Sequence, residues 1–303
     1  HFLSIFGYAS VMGILKNYEV INPFVSNTTD SLRRLKPGFE APICIVTSLG
    51  HSAEIPSRNR TVLIGVIRDS ANPLATRFEL RAPNPHTNTY LAVTTLYLAM
   101  MDGIKYAVTN EKTEDDLLKE LSKKAEDDAD YLEKGRAYRS EENVFESFTD
   151  EERVRLFGTA PATVYENLSA LDKYPEKKAV LTAGGVLDDK LISSFRLGAT
   201  TRWLIELNHR ILNDYSNEIR NCKMLHSIDK ALDLDVANWQ KINDLRYYLM
   251  KDSYSNKSLF TRIKLASEAE DYEKVSNLQI EAEEKISELK DLYSSYKKNL
   301  LDI

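Results

Sequence analysis

The stretch Ser31–Pro42, "SLRRLKPGFEAP", decides the reading of this chain. Two arginines and a lysine run into Pro37-Gly38, a turn-forming pair, and Phe39, Glu40 and Pro42 follow at once. Guanidinium groups therefore stand at one end of a mobile-looking loop and a single carboxylate at the other. What such a loop does depends on the segments around it.

Downstream, "APICIVTS", "TVLIGVI" and "TRFELRAP" are short, rich in β-branched residues and bounded by Pro, Gly or Asn. They predict strands of one sheet, antiparallel because the connections are short. Strand alternation in "TRFELR" puts Arg77, Glu79 and Arg81 on one face and Phe78 and Leu80 on the other. Two readings stay open for that charged face. It is either a structural Arg–Glu–Arg ladder or the wall of a charged cleft, where the glutamate would ligate a hard cation and the arginines hold anionic groups. "SRNRT" adds Arg58 and Arg60 before the second strand. Guanidinium suits bidentate contact with carboxylate or phosphate, so the cluster favours a small, multiply anionic ligand.

Asn88 predicts the cap of a helix, "TYLAVTTLYLAMMDGIKYA", apolar on most sides and hence expected to be buried. The run Thr113–Arg139 is densely charged and reads as a solvated helix. A helix around Val164, Leu168 and Leu171 follows, and "LTAGGVLDDKLISSF" reads as a turn leading into another. No glycine lies beyond Gly198 and no proline beyond Pro175. Ile286, Leu289, Tyr293, Tyr296 and Leu300 recur at three- and four-residue spacing. The last third therefore predicts two or three long antiparallel helices, turning near Leu232 and Ser253–Lys257, and serving as an oligomer contact or as a clasp on the same subunit.

The totals narrow the class. A 303-residue chain with 43% hydrophobic residues can bury a substantial core. A net charge of -6 gives no general attraction to nucleic acid or an anionic membrane, and no stretch of eighteen uncharged apolar residues occurs. The opening "HFLSIFGYASVMGILKNYEV" lacks a basic start and a small-residue cleavage site, so an amphipathic helix is expected rather than a signal peptide. Cys44 and Cys222 are far apart and fit buried thiols in a reducing cytoplasm, and the five histidines show no ligand spacing. No Gly-rich phosphate loop or nucleophile elbow is present.

In order, "SLRRLKPGFEAP", "SRNRT", "ATRFELRAPNPHTNTYLA", "DGI" and "LTAGGVLDDKLI" resemble the C-terminal half of the glutamine synthetase catalytic domain. The resemblance covers about the first two thirds of the chain. It implies an α+β fold, with antiparallel strands of a curved sheet and flanking helices, followed by a helical tail. It further implies a division into 1–108, the strands and flap loop; 109–142, a charged helical insertion; 143–200, the remaining helices of the catalytic domain; and 201–303, the helical extension.

The function implied is an ATP-dependent glutamate–ammonia ligase acting through a γ-glutamyl phosphate, with Mg2+ or Mn2+, cytoplasmic and homo-oligomeric, with no nucleic-acid or membrane partner. By the same resemblance, Arg34 and Arg81 match glutamate-binding arginines. Arg60 matches the arginine steadying the transferring phosphoryl group, Arg77 an arginine near the nucleotide phosphates, and Glu79 a metal-bound carboxylate. Glu40 matches the flap glutamate that seals the site and helps take a proton from ammonium.

Departures are specific. Gly65 and Leu74 stand where the family has an arginine and a lysine, and Asn84 stands where it has an aspartate. In "NVFESFTDEE" Phe145 occupies the place of a tyrosine adenylylated in some relatives, and without a hydroxyl it cannot be modified that way. The family's other metal ligands are expected before His1, so this chain reads as part of an active site, inactive alone. A glutamate–amine ligase of the γ-glutamylpolyamine type and a non-catalytic homologue are the alternatives.

Overall fold

The computed structural model describes residues 3–35, 44–55, 57, 59–69 and 71–301. It divides into two compact units, His1–Ala199 and Thr200–Ile303. The chain is mostly helical, with one small mixed sheet of three strands.

In the first unit Ser4 opens α1 (Ile5–Lys16) by accepting the Gly7 N–H. Every residue from Tyr8 to Leu15 is buried, so α1 is covered on all sides and is not the amphipathic helix expected. α2 (Tyr18–Val25) follows directly, and α3 (Thr29–Arg33) starts with a reciprocal cap between Thr28 and Ser31. The strands β1 (Cys44–Ser48), β2 (Val62–Ile67) and β3 (Arg77–Leu80) lie in that order. β2 and β3 pair antiparallel, with Gly65 opposite Glu79, but β1 and β2 are parallel. The expectation of an antiparallel sheet is corrected there. A parallel pair needs a crossover of a dozen or more residues, and residues 49–61 supply it, with no helix among those described.

α4 (Thr89–Thr109) is capped by Asn88, whose side-chain oxygen accepts from Tyr90 and Leu91 N–H. It was expected to be buried; only Ala92, Thr95, Ala99, Gly103 and Ala107 are. This stripe of small residues packs on α1 so closely that a Cβ on Gly13 would sit 2.1 Å from the Ala99 carbonyl oxygen. One on Gly103 would sit 2.0 Å from that of Ala9. The larger residues Tyr90, Val93, Tyr97, Met101 and Val108 are exposed. Apolar residues all round a helix show that it can be covered; backbone contact needs small side chains, and these select the covered side. By length and composition α4 could also cross a membrane, although it carries Asp102 and Lys105.

α5 (Glu114–Leu121) begins with a capping box between Thr113 and Asp116. The expected helix over the charged run stops there, and Lys123–Arg139 has no helix. Its charges are not simply solvated. Lys177, buried, contacts Glu19 at 2.8 Å and Glu133 at 2.7 Å, and Arg136 reaches Glu19 at 2.6 Å and Glu133 at 2.8 Å. Paired charges with shared hydrogen bonds can be withdrawn from water where single ones cannot. Then come α6 (Val144–Ser147), α7 (Asp150–Phe157), α8 (Val164–Lys173) and α9 (Pro175–Thr182). Gly184 and Gly185, at φ 75° and 70°, make the expected turn before α10 (Asp189–Glu206).

In the second unit a π-helical turn over Leu207–Ile211 leads into α11 (Leu212–Asn221). α12 (Asp233–Met250), α13 (Leu259–Glu268) and α14 (Tyr272–Asn299) complete it; two breaks fall at the places expected, and a third, at residues 269–271, was not foreseen. Ile286, Leu289 and Tyr296 of the seam are buried, and Leu300 lies just past the helix end. Buried Trp203 donates its indole N–H to Gln279 at 2.7 Å. The buried Tyr296 hydroxyl accepts the Leu225 and His226 N–H groups at 2.9 and 3.0 Å, fixing the loop before α12.

Candidate anion-binding site

The residues after β3 are held from below by α2 and α3. Ser26 Oγ donates to the Ala82 carbonyl at 3.1 Å, and Asn84 Nδ2 and Thr87 Oγ1 donate to the Val25 carbonyl at 3.1 and 2.6 Å. Arg34, at the end of α3, donates Nη2 to the carbonyls of Arg81, Ala82 and Pro83 at 3.3, 2.8 and 3.1 Å. Asn84, where the resemblance leads one to expect an aspartate, thus has a defined task as a donor. A carboxylate could not make that bond unless protonated.

On this mount Arg81 follows β3 directly, its N–H bonded to the Leu63 carbonyl at 3.0 Å. Its guanidinium lies over Gly65, where a Cβ would come within 2.9 Å of Nη2. Arg81 Nε is 3.7 Å from Glu79 Oε1. Burial lowers the Arg81 guanidinium from its ordinary value, the Glu79 carboxylate opposes this, and the nearby positive charge of Arg60 adds to it. An arginine still remains protonated at neutral pH. Arg34 Nε and Arg81 Nε are both buried with no hydrogen-bond partner among the described residues.

Arg81 therefore lies beside Glu79 and within electrostatic reach of Arg60, while Arg34 fastens the backbone of 81–83. Arg77 shares the exposed side of β3 with Glu79, but its guanidinium donates to the Ala75 carbonyl at 3.1 Å. Glu40 and Arg58 lie outside the described residues. Leu74 is 96% exposed. A cavity of about 400 Å³ between α2, β1 and α8, lined by residues including Tyr18, Asn22, Cys44 and Asn167, contains none of these arginines among its described lining.

A metal was implied at Glu79. Its side chain is 50% exposed, and among the described residues no group of three His, Cys, Asp or Glu could hold a metal ion. One carboxylate beside a guanidinium does not replace the hydration shell of a hard divalent cation, so the residues present do not form that site.

Sequence reasoning missed Glu141. Its carboxylate accepts the Leu49 N–H at 3.1 Å, the Gly50 N–H at 2.9 Å and the Ser48 hydroxyl, with Arg139 Nε at 2.8 Å. Burial would raise its pKa; hydrogen bonds from Ser48, Arg139, Gly50 and Leu49 outweigh this and hold it below the usual carboxylate range. The only hint in the sequence was the alternation of Arg139 and Glu141 after the charged run.

The sheet edge thus presents the Arg81 guanidinium beside one carboxylate, with the charge of Arg60 nearby. Residues 1–135 match the family model of the glutamine synthetase catalytic domain. The chain is 32% identical over 183 residues to a glutamine synthetase of Rhizobium meliloti, covering 60% of this chain and 30% of that protein. It is 39% identical over 110 residues to one of Streptomyces coelicolor, covering 36% and 22%. A cryo-EM structure of Plasmodium falciparum glutamine synthetase aligns over 66% of this chain and 39% of that one, at 20% identity and a TM-score of 0.45. The chain thus spans about a third or less of the curated relatives it matches.

Proposed function

We propose that this chain is part of an ATP-dependent glutamate–ammonia ligase. The observation that carries the reading is Arg81 beside Glu79, with Arg34 fastening the backbone of 81–83 and the charge of Arg60 nearby, within the stretch that matches the family model. In the reaction a glutamate side-chain carboxylate oxygen attacks the γ-phosphorus of ATP and ADP leaves. Ammonia then attacks the acyl carbon, loses a proton, and inorganic phosphate leaves. Both steps gather anions, so guanidiniums must offset their repulsion.

Arg81 would bind the glutamate carboxylate. Arg34 would support it through the 81–83 backbone as well as by its own charge. Arg60 would steady the phosphoryl group, Arg77 the nucleotide, and Glu40 would close the site against water. The Nε donors of Arg34 and Arg81, without hydrogen-bond partners among the described residues, suit a site completed by an anionic acceptor. Magnesium or manganese would need ligands besides Glu79. The complete enzyme is proposed to be cytoplasmic and, like its family, oligomeric, with residues 201–303 as a helical extension to the catalytic part.

The test is an assay of the complete polypeptide with ATP, glutamate and either ammonia or amines, following phosphate release. Glutamate- and ammonia-dependent release is expected. Release with amines alone would make it a glutamate–amine ligase, and none with either would leave a non-catalytic homologue.

A further inference from the structure

The β1–β2 crossover carrying Arg60 is held along its length by a distant segment. Tyr138 and Ser140 run beside β1, with the Thr47 N–H donating to the Tyr138 carbonyl at 2.9 Å and the Ser140 N–H to the Thr47 carbonyl at 3.0 Å. Glu141 then takes the Leu49 and Gly50 amides, and Arg139 Nη2 returns to the Gly50 carbonyl at 2.9 Å. At the other end of the crossover Asn59 Nδ2 donates to the Glu142 carbonyl at 2.6 Å, and the Val144 N–H to Thr61 Oγ1 at 3.2 Å. Asn59 and Thr61 flank Arg60, and they bond each other at 2.9 and 2.7 Å. Ser57 joins the two ends, touching Ser48 Oγ and accepting the Asn59 N–H at 3.1 Å.

We propose that residues 138–144 form a strap that mounts Arg60, and that Glu141, as the anchor of the strap, is a positioning residue for the phosphoryl-handling arginine. The part concerning catalysis rests on the role proposed above for Arg60; the mount itself does not. An exposed arginine on an irregular crossover has no strand ladder to fix it. Bonds to both of its neighbours supply that restraint, and a network of this kind acts as a unit. Displacing a catalytic group by about an ångström can cost on the order of a hundredfold in rate. The strap belongs to the segment that leads into α6, so whatever shifts 138–144 would reach Arg60.

Glu141→Gln tests this in the complete polypeptide, because it turns an amide donor toward the N–H groups that the carboxylate accepts. Amide exchange at Leu49, Gly50, Asn59 and Thr61 should rise about tenfold or more while α1 and α4 exchange as before. Turnover should fall about tenfold with the KM for glutamate changing less than about twofold, and adding the change to Arg60→Ala should cost nothing more. Unchanged exchange across 49–61, or losses that multiply in the double variant, would overturn the proposal. Ser48→Ala, which removes one donor, gives the same signs at smaller size if Glu141→Gln does not fold. An unaltered protein that exchanges as expected yet performs no ligase chemistry would refute the ligase reading and leave the mount standing.

Discussion

The α1–α4 seam and the β2–β3 edge of the same unit are built on opposite plans. At the seam, Gly13 and Gly103 let two helix backbones meet, and no side chain larger than hydrogen fits at either position. At the sheet edge, β3 is exposed or half-buried throughout, and what lies over its neighbour Gly65 is the movable end of Arg81. One region gains stability from close packing and tolerates no added volume. The other spends its contacts on placing charge. Glycine serves both, in the first for backbone approach and in the second for room to seat a guanidinium.

Substitutions can break or sharpen this contrast. Gly103→Ala or Gly13→Ala should have the largest effect, a loss of about 3 kcal/mol in chemical denaturation, since a backbone must shift to admit the methyl. A variant melting like the parent would refute backbone contact at the seam. Arg34→Ala removes three bonds to the carbonyls of 81–83 and should cost about 1–2 kcal/mol. No change in stability would mean that Arg34 is not a support.

Acid gives a smaller effect with a defined sign. The Glu141 carboxyl is lowered in the folded state, so its contribution is complete above the unfolded value near 4.3 and is lost as pH falls through the lowered folded one. The Leu49 and Gly50 amide resonances should follow that loss; resonances that shift instead near pH 7 would contradict it. Gly65→Ala should change stability by less than about 1 kcal/mol yet raise the KM for glutamate roughly tenfold by displacing Arg81. Equal KM values would show that the seat is unimportant. Least affected should be Tyr97→Gln on the outer side of α4, within about 0.5 kcal/mol. A larger loss would reveal that something covers that side.

Local pattern made several parts of this legible beforehand. Strand alternation placed Arg77 and Glu79 on one side of β3, Asn88 announced the start of α4, and the absence of Gly and Pro marked a helical last third. Pairing direction was not legible, because it depends on how residues 49–61 cross over rather than on strand composition. The apolar character of α4 was plain, but its covered side was misjudged. The signal lay in the spacing of Ala92, Thr95, Ala99, Gly103 and Ala107, outweighed by larger neighbours. The charged run concealed a second error. Glu133 and Arg136 look like surface charges until Lys177, from a remote helix, pairs with Glu133 and with Glu19, which Arg136 also binds. Beyond the alternation of Arg139 and Glu141 the strap had no local signature, since its partners are some ninety residues apart.

The sequence by itself determined the family that its first part resembles, through the order and spacing of short blocks, and the identity of the charged groups on offer. Those follow from covalent order and side-chain chemistry. Tertiary structure alone decided which strands run parallel, which side of α4 is covered, that Arg34 supports the backbone of 81–83 and that Glu141 fastens the crossover bearing Arg60. Each of these is a contact between distant segments, and its energy exists only once the chain has brought them within hydrogen-bonding or van der Waals range.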